Sequence, residues 1–171
     1  GYNSFTILQL AHATANLANG GIVMKPHIVK AIENPITKKK NLTTPKESYR
    51  IPLKSEHIDV VKNAMLDVNK FGTSAQAFTG AAYQPAGKTG TAQVFSLGSK
   101  SYSHGATAEF LRDHALYIVF APADNPKIAI GMIVENAGFG AVNAAPIARR
   151  ALDYYLEGKW PKEIPEWKNA P

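Results

Sequence analysis

Apolar residues first recur at helical spacing near the start of the chain. Leu10, Ala13 and Leu17, with Ile7 at the margin, form one stripe. Thr6 and Gln9 have the spacing of a capping box, and Phe5 and Leu10 fall where a hydrophobic staple would lie. Asn19, Gly20 and Gly21 predict the stop, because glycine accepts the left-handed conformation that closes a helix. HIVKAIE (27–33) and YRIPL (49–53) predict short strands around a lysine-rich loop. A second helix comes next, with Ser55 as N-cap, Glu56 and Asp59 at the positive end of its dipole, and a stripe of Ile58, Val61, Met65 and Val68. Gly72 ends it, and GTSAQAF (72–78) adds a further turn or two.

Later in the chain the pattern changes. HALYIVFAP (114–122) and KIAIGMIVE (127–135) are apolar on both faces, as buried central strands are. Ala123-Asp124-Asn125-Pro126 joins them, and so short a link requires an antiparallel hairpin. NAGFGAVN then reads as a glycine-rich loop, in which GFGAVN (138–143) is too loosely patterned for a ligand loop. Asn143 predicts the cap of a final helix that holds Pro146 in its first turn, buries Ile147, Ala151 and Leu152 or Tyr155, and ends at Gly158. The sequence therefore predicts an α+β fold, an antiparallel sheet with helices packed on its faces, over residues 1–158. Residues 159–171 hold three prolines and predict a surface tail that carries Trp160 and Trp167.

Composition narrows the function classes. With 171 residues, 45% of them hydrophobic, the chain can build one domain with a core. No apolar run reaches the roughly 20 residues of a membrane-spanning helix. The absence of cysteine removes disulfides and thiolate metal sites, and the histidines, His104 and His114 among them, lack ligand spacing. No metal or organic cofactor is expected. The net charge of +6 favours acidic partners, but its densest run, Lys38-Lys39-Lys40, reads as a solvated loop tip.

The candidate chemistry lies in QPAGKTGTAQVF (84–95). A phosphate loop requires glycine at position 82, which is Ala82, and a helix afterwards. The residues after the lysine motif, Thr91-Ala92-Gln93-Val94-Phe95, instead alternate as a strand does. Read as a strand, the segment places Thr89, Thr91 and Gln93 on one side and Lys88, Gly90, Ala92 and Val94 on the other. Gly90 removes bulk midway, so a ligand can approach. If this is an edge strand, its free N–H and C=O groups can pair with an extended peptide. Hydroxyls beside an ammonium suit a carboxylate, and a spare N–H suits an oxyanion.

Lys88-Thr89-Gly90 resembles the K-T-G motif of penicillin-binding proteins and serine β-lactamases. The longer stretches GYNSFTILQLAHATANLANGG, AGKTGTAQVF, LRDHALYIVFAPADNPKIAIGMIVENAG and APIARRALDYYL together resemble the C-terminal part of the transpeptidase domain in the penicillin-binding protein 2 family, the elongation-specific class B type of Gram-negative bacteria. That resemblance implies the transpeptidase fold shared with serine β-lactamases, of which only the C-terminal part is here. It also implies peptidoglycan D,D-transpeptidase activity through a serine acyl-enzyme, and binding of stem peptides and β-lactam antibiotics. Lys88 would organise proton transfer, and Thr89 and Thr91 would bind the donor carboxylate. The Thr91 N–H would be an oxyanion donor, Gly90 would keep the strand surface open, and Gln93 would contact substrate. The family further implies a glycosyltransferase partner, and a site on the periplasmic side of the inner membrane, held by an anchor outside this chain.

One departure stands out. None of Ser4, Ser48, Ser55, Ser74, Ser96, Ser99, Ser101 and Ser103 begins an S-x-x-K motif, and no S-x-N occurs. A nucleophile requires a base placed to activate it. The expectation is a C-terminal portion of a longer enzyme, unable to form an acyl-enzyme by itself. Two alternatives stay open: a β-lactamase or D,D-carboxypeptidase of the same fold, and a non-catalytic basic module that binds nucleic acid or cell wall.

Overall fold

A computed structural model of the chain describes residues 4–94 and 107–159. The tail beyond residue 159, with Trp160 and Trp167, lies outside the described residues. The first helix, α1, spans Ile7–Ala18 and opens on the full capping box: Gln9 N–H donates to Thr6 Oγ1 at 3.2 Å and Thr6 N–H to Gln9 Oε1 at 2.8 Å. Its most buried residues are Thr14 and Ala18, whereas Ala13 is exposed. The buried stripe is therefore rotated from the expected one, because small residues let this helix lie close on the sheet.

Two small antiparallel pairs come after α1. Strand β1 (Ile22–Met24) pairs with β4 (Glu47–Arg50), and β2 (Ala31–Glu33) with β3 (Lys40–Leu42). The expected strands at 27–33 and 49–53 are thus shorter and displaced, and β1 and β3 were not foreseen. Asn34 Oδ1 accepts from Ile36 and Thr37 N–H at 2.9 Å, which builds the turn in place of further ladder. Lys38 takes a left-handed φ of 58° within the lysine run.

Helix α2 (Ser55–Lys70) buries Ile58, Met65 and Asn69, while Val61 is exposed. Lys54 is its N-cap and Ser55 already helical, so the expected serine cap is corrected by one residue. A single turn, α3 (Ala75–Phe78), comes next. The main sheet consists of β5 (Ala86–Ala92), β6 (His114–Ala121) and β7 (Ile128–Val134), antiparallel in that spatial order. The β6–β7 hairpin runs where the apolar pattern placed it. A short turn, α4 (Gly140–Asn143), leads into α5 (Ala145–Glu157).

Asn143 does not cap α5. Its Nδ2 donates to the Ala137 carbonyl, and Ala144 is the N-cap. Gly158 closes α5 at φ 66°, as expected. The helix buries Ala145, Ala148 and Leu152, leaving Ile147 and Tyr155 exposed.

Cross-strand partners share a face, so the sheet has two cores. Ala115, Tyr117, Val119 and Ala121 meet Phe78, Ala144, Ala145, Ala148 and Leu152 on one face. Ala86 and Phe120 meet Ala18 and Met65 on the other. Tyr117, Phe120, Leu152 and Val119 are almost wholly buried, each worth roughly 1.5–3 kcal/mol in transfer from water. Gly131 lets α1 rest directly on β7. A Cβ there would lie 2.9 Å from Ala11 N and 3.0 Å from Ile7 O. The result is three layers, with β5 at one rim of the middle one.

Candidate functional site

The segment Lys88–Thr91 is extended, inside β5, and pairs on one side only among the described residues. Lys88 stands opposite Ile118, Thr89 opposite Tyr117, Gly90 opposite Leu116 and Thr91 opposite Ala115. Thr89 and Thr91 therefore share the face that α3 and α5 cover, while Lys88 and Gly90 share the α1–α2 face. Lys88 and Thr91 are exposed, and Thr89 and Gly90 half-buried. Gln93 lies just past the strand and is exposed, so it is near the segment without belonging to its ladder.

An antiparallel strand turns the N–H and C=O of alternate residues toward its partner and away from it. Two bonds identify the outward set here. The Pro85 carbonyl accepts from Asn69 Nδ2 at 2.8 Å, and the Thr89 carbonyl from Lys88 Nζ at 2.9 Å. Residues 85 and 89 belong to one alternation, which also contains Thr91. The Thr91 N–H is thereby directed to the open rim, where an incoming atom with developing negative charge can meet it.

A buried polar frame supports this strand from behind. Asn69 and Ser74 are almost fully buried. Ser74 Oγ donates to Asn69 Oδ1 at 2.6 Å, and Tyr117 O–H donates to the same oxygen. Asn69 thus links α2, the α2–α3 corner, the start of β5 and the middle of β6. Thr73 sits at that corner with Oγ1 3.0 Å from Thr89 Oγ1. The sequence pattern did not single out Asn69, Thr73 or Tyr117. The signal for them was Asn69 itself, a polar residue in register with Ile58 and Met65 on a buried helix face, which demands a partner.

Burial pushes the Tyr117 phenol up to about 12. In the unfolded chain the phenol ionises near its ordinary value of about 10. Between those values the folded chain holds one proton more than the unfolded one. The stability contribution is complete below pH ~10 and declines as pH rises through about 12. Denaturant unfolding at pH ~9 and ~11 should show a steeper loss in the wild type than in Tyr117→Phe, and equal losses would refute the assignment.

The expected loop at 138–143 is in fact packed against the strand. Gly140, buried, opens α4 directly over Gly90. A Cβ at Gly140 would overlap the carbonyl oxygens of Leu116 and Gly90 and lie 3.2 Å from Gly90 N. Two glycines thus meet backbone to backbone between Thr89 and Thr91.

Residues 1–153 match the family described as penicillin binding protein transpeptidase domain. The chain is 41% identical over 173 aligned positions, 95% of its length, to the peptidoglycan D,D-transpeptidase MrdA of Haemophilus influenzae. Among solved structures it is similar to penicillin-binding protein A of M. tuberculosis in an imipenem acyl-enzyme complex, with TM-score 0.71 and 30% identity over 91% of this chain and 32% of that one. It is similar as well to PBP2 of Pseudomonas aeruginosa in complex with WCK 5153, with TM-score 0.70 and 35% identity over 97% of this chain and 34% of that one. The chain spans about a quarter of the length of the curated relatives it matches.

Proposed function

The chain belongs to the penicillin binding protein transpeptidase family, and on that premise we propose that it is the K-T-G-bearing portion of a peptidoglycan D,D-transpeptidase. In the proposed reaction a serine from another part of the full-length protein attacks the D-Ala–D-Ala amide carbonyl. D-Alanine leaves, and the acyl group passes from the serine oxygen to an amine of a neighbouring stem peptide. The observation that carries this reading is the extended Lys88–Thr91 segment on an open strand rim.

Each residue takes a role that its placement supports. The hydroxyls of Thr89 and Thr91 bind the terminal carboxylate of the donor peptide, or the carboxylate of a β-lactam that imitates it. Lys88 supplies positive charge and helps move the serine proton. The Thr91 N–H stabilises the oxyanion, an effect typically worth ~3 kcal/mol per donor. Gly90 keeps the strand surface low enough for ligand, and Gln93 offers a contact at the end of the track. By the same reading the enzyme works on the periplasmic face of the inner membrane beside a glycosyltransferase of the elongation machinery. Names of the relatives favour this over the β-lactamase and carboxypeptidase alternatives.

The test is covalent labelling by fluorescent penicillin. The full-length protein should take the label, and unlabelled penicillin should block it. The isolated 171-residue chain, without S-x-x-K, should take none. A full-length protein that stays unlabelled at saturating penicillin overturns the proposal.

A further inference from the structure

We propose that Thr73 is a positioning residue for carboxylate recognition, acting through Thr89; this rests on the functional reading above. Its hydroxyl oxygen lies 3.0 Å from that of Thr89 and on the same side of the strand. The proposal uses the polarity of that contact. A carboxylate accepts hydrogen bonds and donates none, and a hydroxyl has one proton to give. When Thr89 holds a carboxylate it must spend its proton there. Thr73 must then be the donor to Thr89, which yields a directed chain from Thr73 through Thr89 to the ligand. In such a chain each bond polarises the next, and the terminal donor is strengthened. Without Thr73 the Thr89 hydroxyl is free to rotate and to present a lone pair to the incoming anion.

The corner that carries Thr73 is held firmly enough to do this. Gly72 lies against the last turn of α2, where a Cβ would come 2.7 Å from Val68 Cα and 2.9 Å from its oxygen. Its N–H donates to Asp67 O at 3.0 Å. On the other side Ser74 is 1% exposed and bonded to Asn69, which in turn holds the Pro85 carbonyl at the start of β5. The corner and the strand are therefore referenced to one buried side chain, Asn69. Thr73 itself is exposed, so its hydroxyl contributes little to the core.

The experiment measures the second-order acylation rate of the full-length protein with benzylpenicillin and with its methyl ester, whose carboxylate is masked. Thr73→Val should lower the rate on the free acid about fivefold, the effect of one neutral hydrogen bond, and leave the rate on the ester at the wild-type value. Thr73→Ser, which keeps the hydroxyl, should restore the rate on the acid. Thr73→Val combined with Thr89→Val should be no slower than Thr89→Val alone, since both remove the same chain. A Thr73→Val protein that reacts with the acid as the wild type does overturns the proposal while leaving the transpeptidase reading intact. An equal loss on acid and ester, or fold-losses that multiply in the double variant, also overturns it. If the wild type is not acylated at all, the functional reading itself has failed.

Discussion

Lys88→Ala in the full-length protein is expected to reduce penicillin acylation by about 100-fold or more while barely changing thermal stability. The magnitude is that of removing one positioned proton-transfer group, roughly 10²–10⁴ in rate. The silence in stability comes from the surroundings of the side chain. Lys88 is exposed, and its described hydrogen bond is to the carbonyl of the next residue, Thr89, at 2.9 Å. An exposed side chain takes little buried surface with it when it is truncated. Normal acylation in the variant would remove Lys88 from the mechanism, and a large drop in melting temperature would show that the lysine holds the strand in place.

Gly140→Ala should do the opposite, damaging fold and function together. The new methyl group would press on the carbonyl oxygens of Leu116 and Gly90. Both are backbone atoms in a paired strand, and no flexible side chain can move aside. Either α4 lifts from the sheet or β5 bends at Gly90. Overpacking of this kind costs about 1–3 kcal/mol, so the melting temperature should fall by several degrees. A bend at Gly90 also turns the Thr91 N–H away from the rim. Loss of one oxyanion donor lowers turnover by roughly 10²–10³, and penicillin acylation should drop on that scale. Native melting and native acylation in Gly140→Ala would contradict the close approach of α4 to β5.

How much of this was legible in the sequence depends on whether the cause was local. The capping box at Thr6 and Gln9, the β6–β7 hairpin and the Gly158 stop are set by residues a few positions apart, and the structure has all three. The K-T-G strand was legible for the same reason, although it ends at Ala92, short of the Gln93 and Val94 that the alternation included. The errors fall where tertiary contact decides. Ala13 and Val61 fit their helical stripes but face solvent, because the sheet selects which side of each helix it covers. Asn143 looks like a cap, yet its amide is taken by the Ala137 carbonyl. Thr73 was hidden most thoroughly. Sixteen positions separate it from Thr89, and a threonine after glycine in a helix-ending stretch resembles any turn.

The rim of β5 also bears on how the molecule avoids unwanted company. A bare strand edge is a template on which a second copy can add its own backbone. Here that template is interrupted. The Pro85 carbonyl is claimed by Asn69, Gly87 is buried, and the Thr89 carbonyl is claimed by Lys88. Of the outward-turned residues at 85, 87, 89 and 91, it is Thr91 that lies exposed. The groups that guard the edge against self-pairing thus narrow it to one landing point, and a visitor long enough to zip along the whole strand would first have to displace the protein's own side chains.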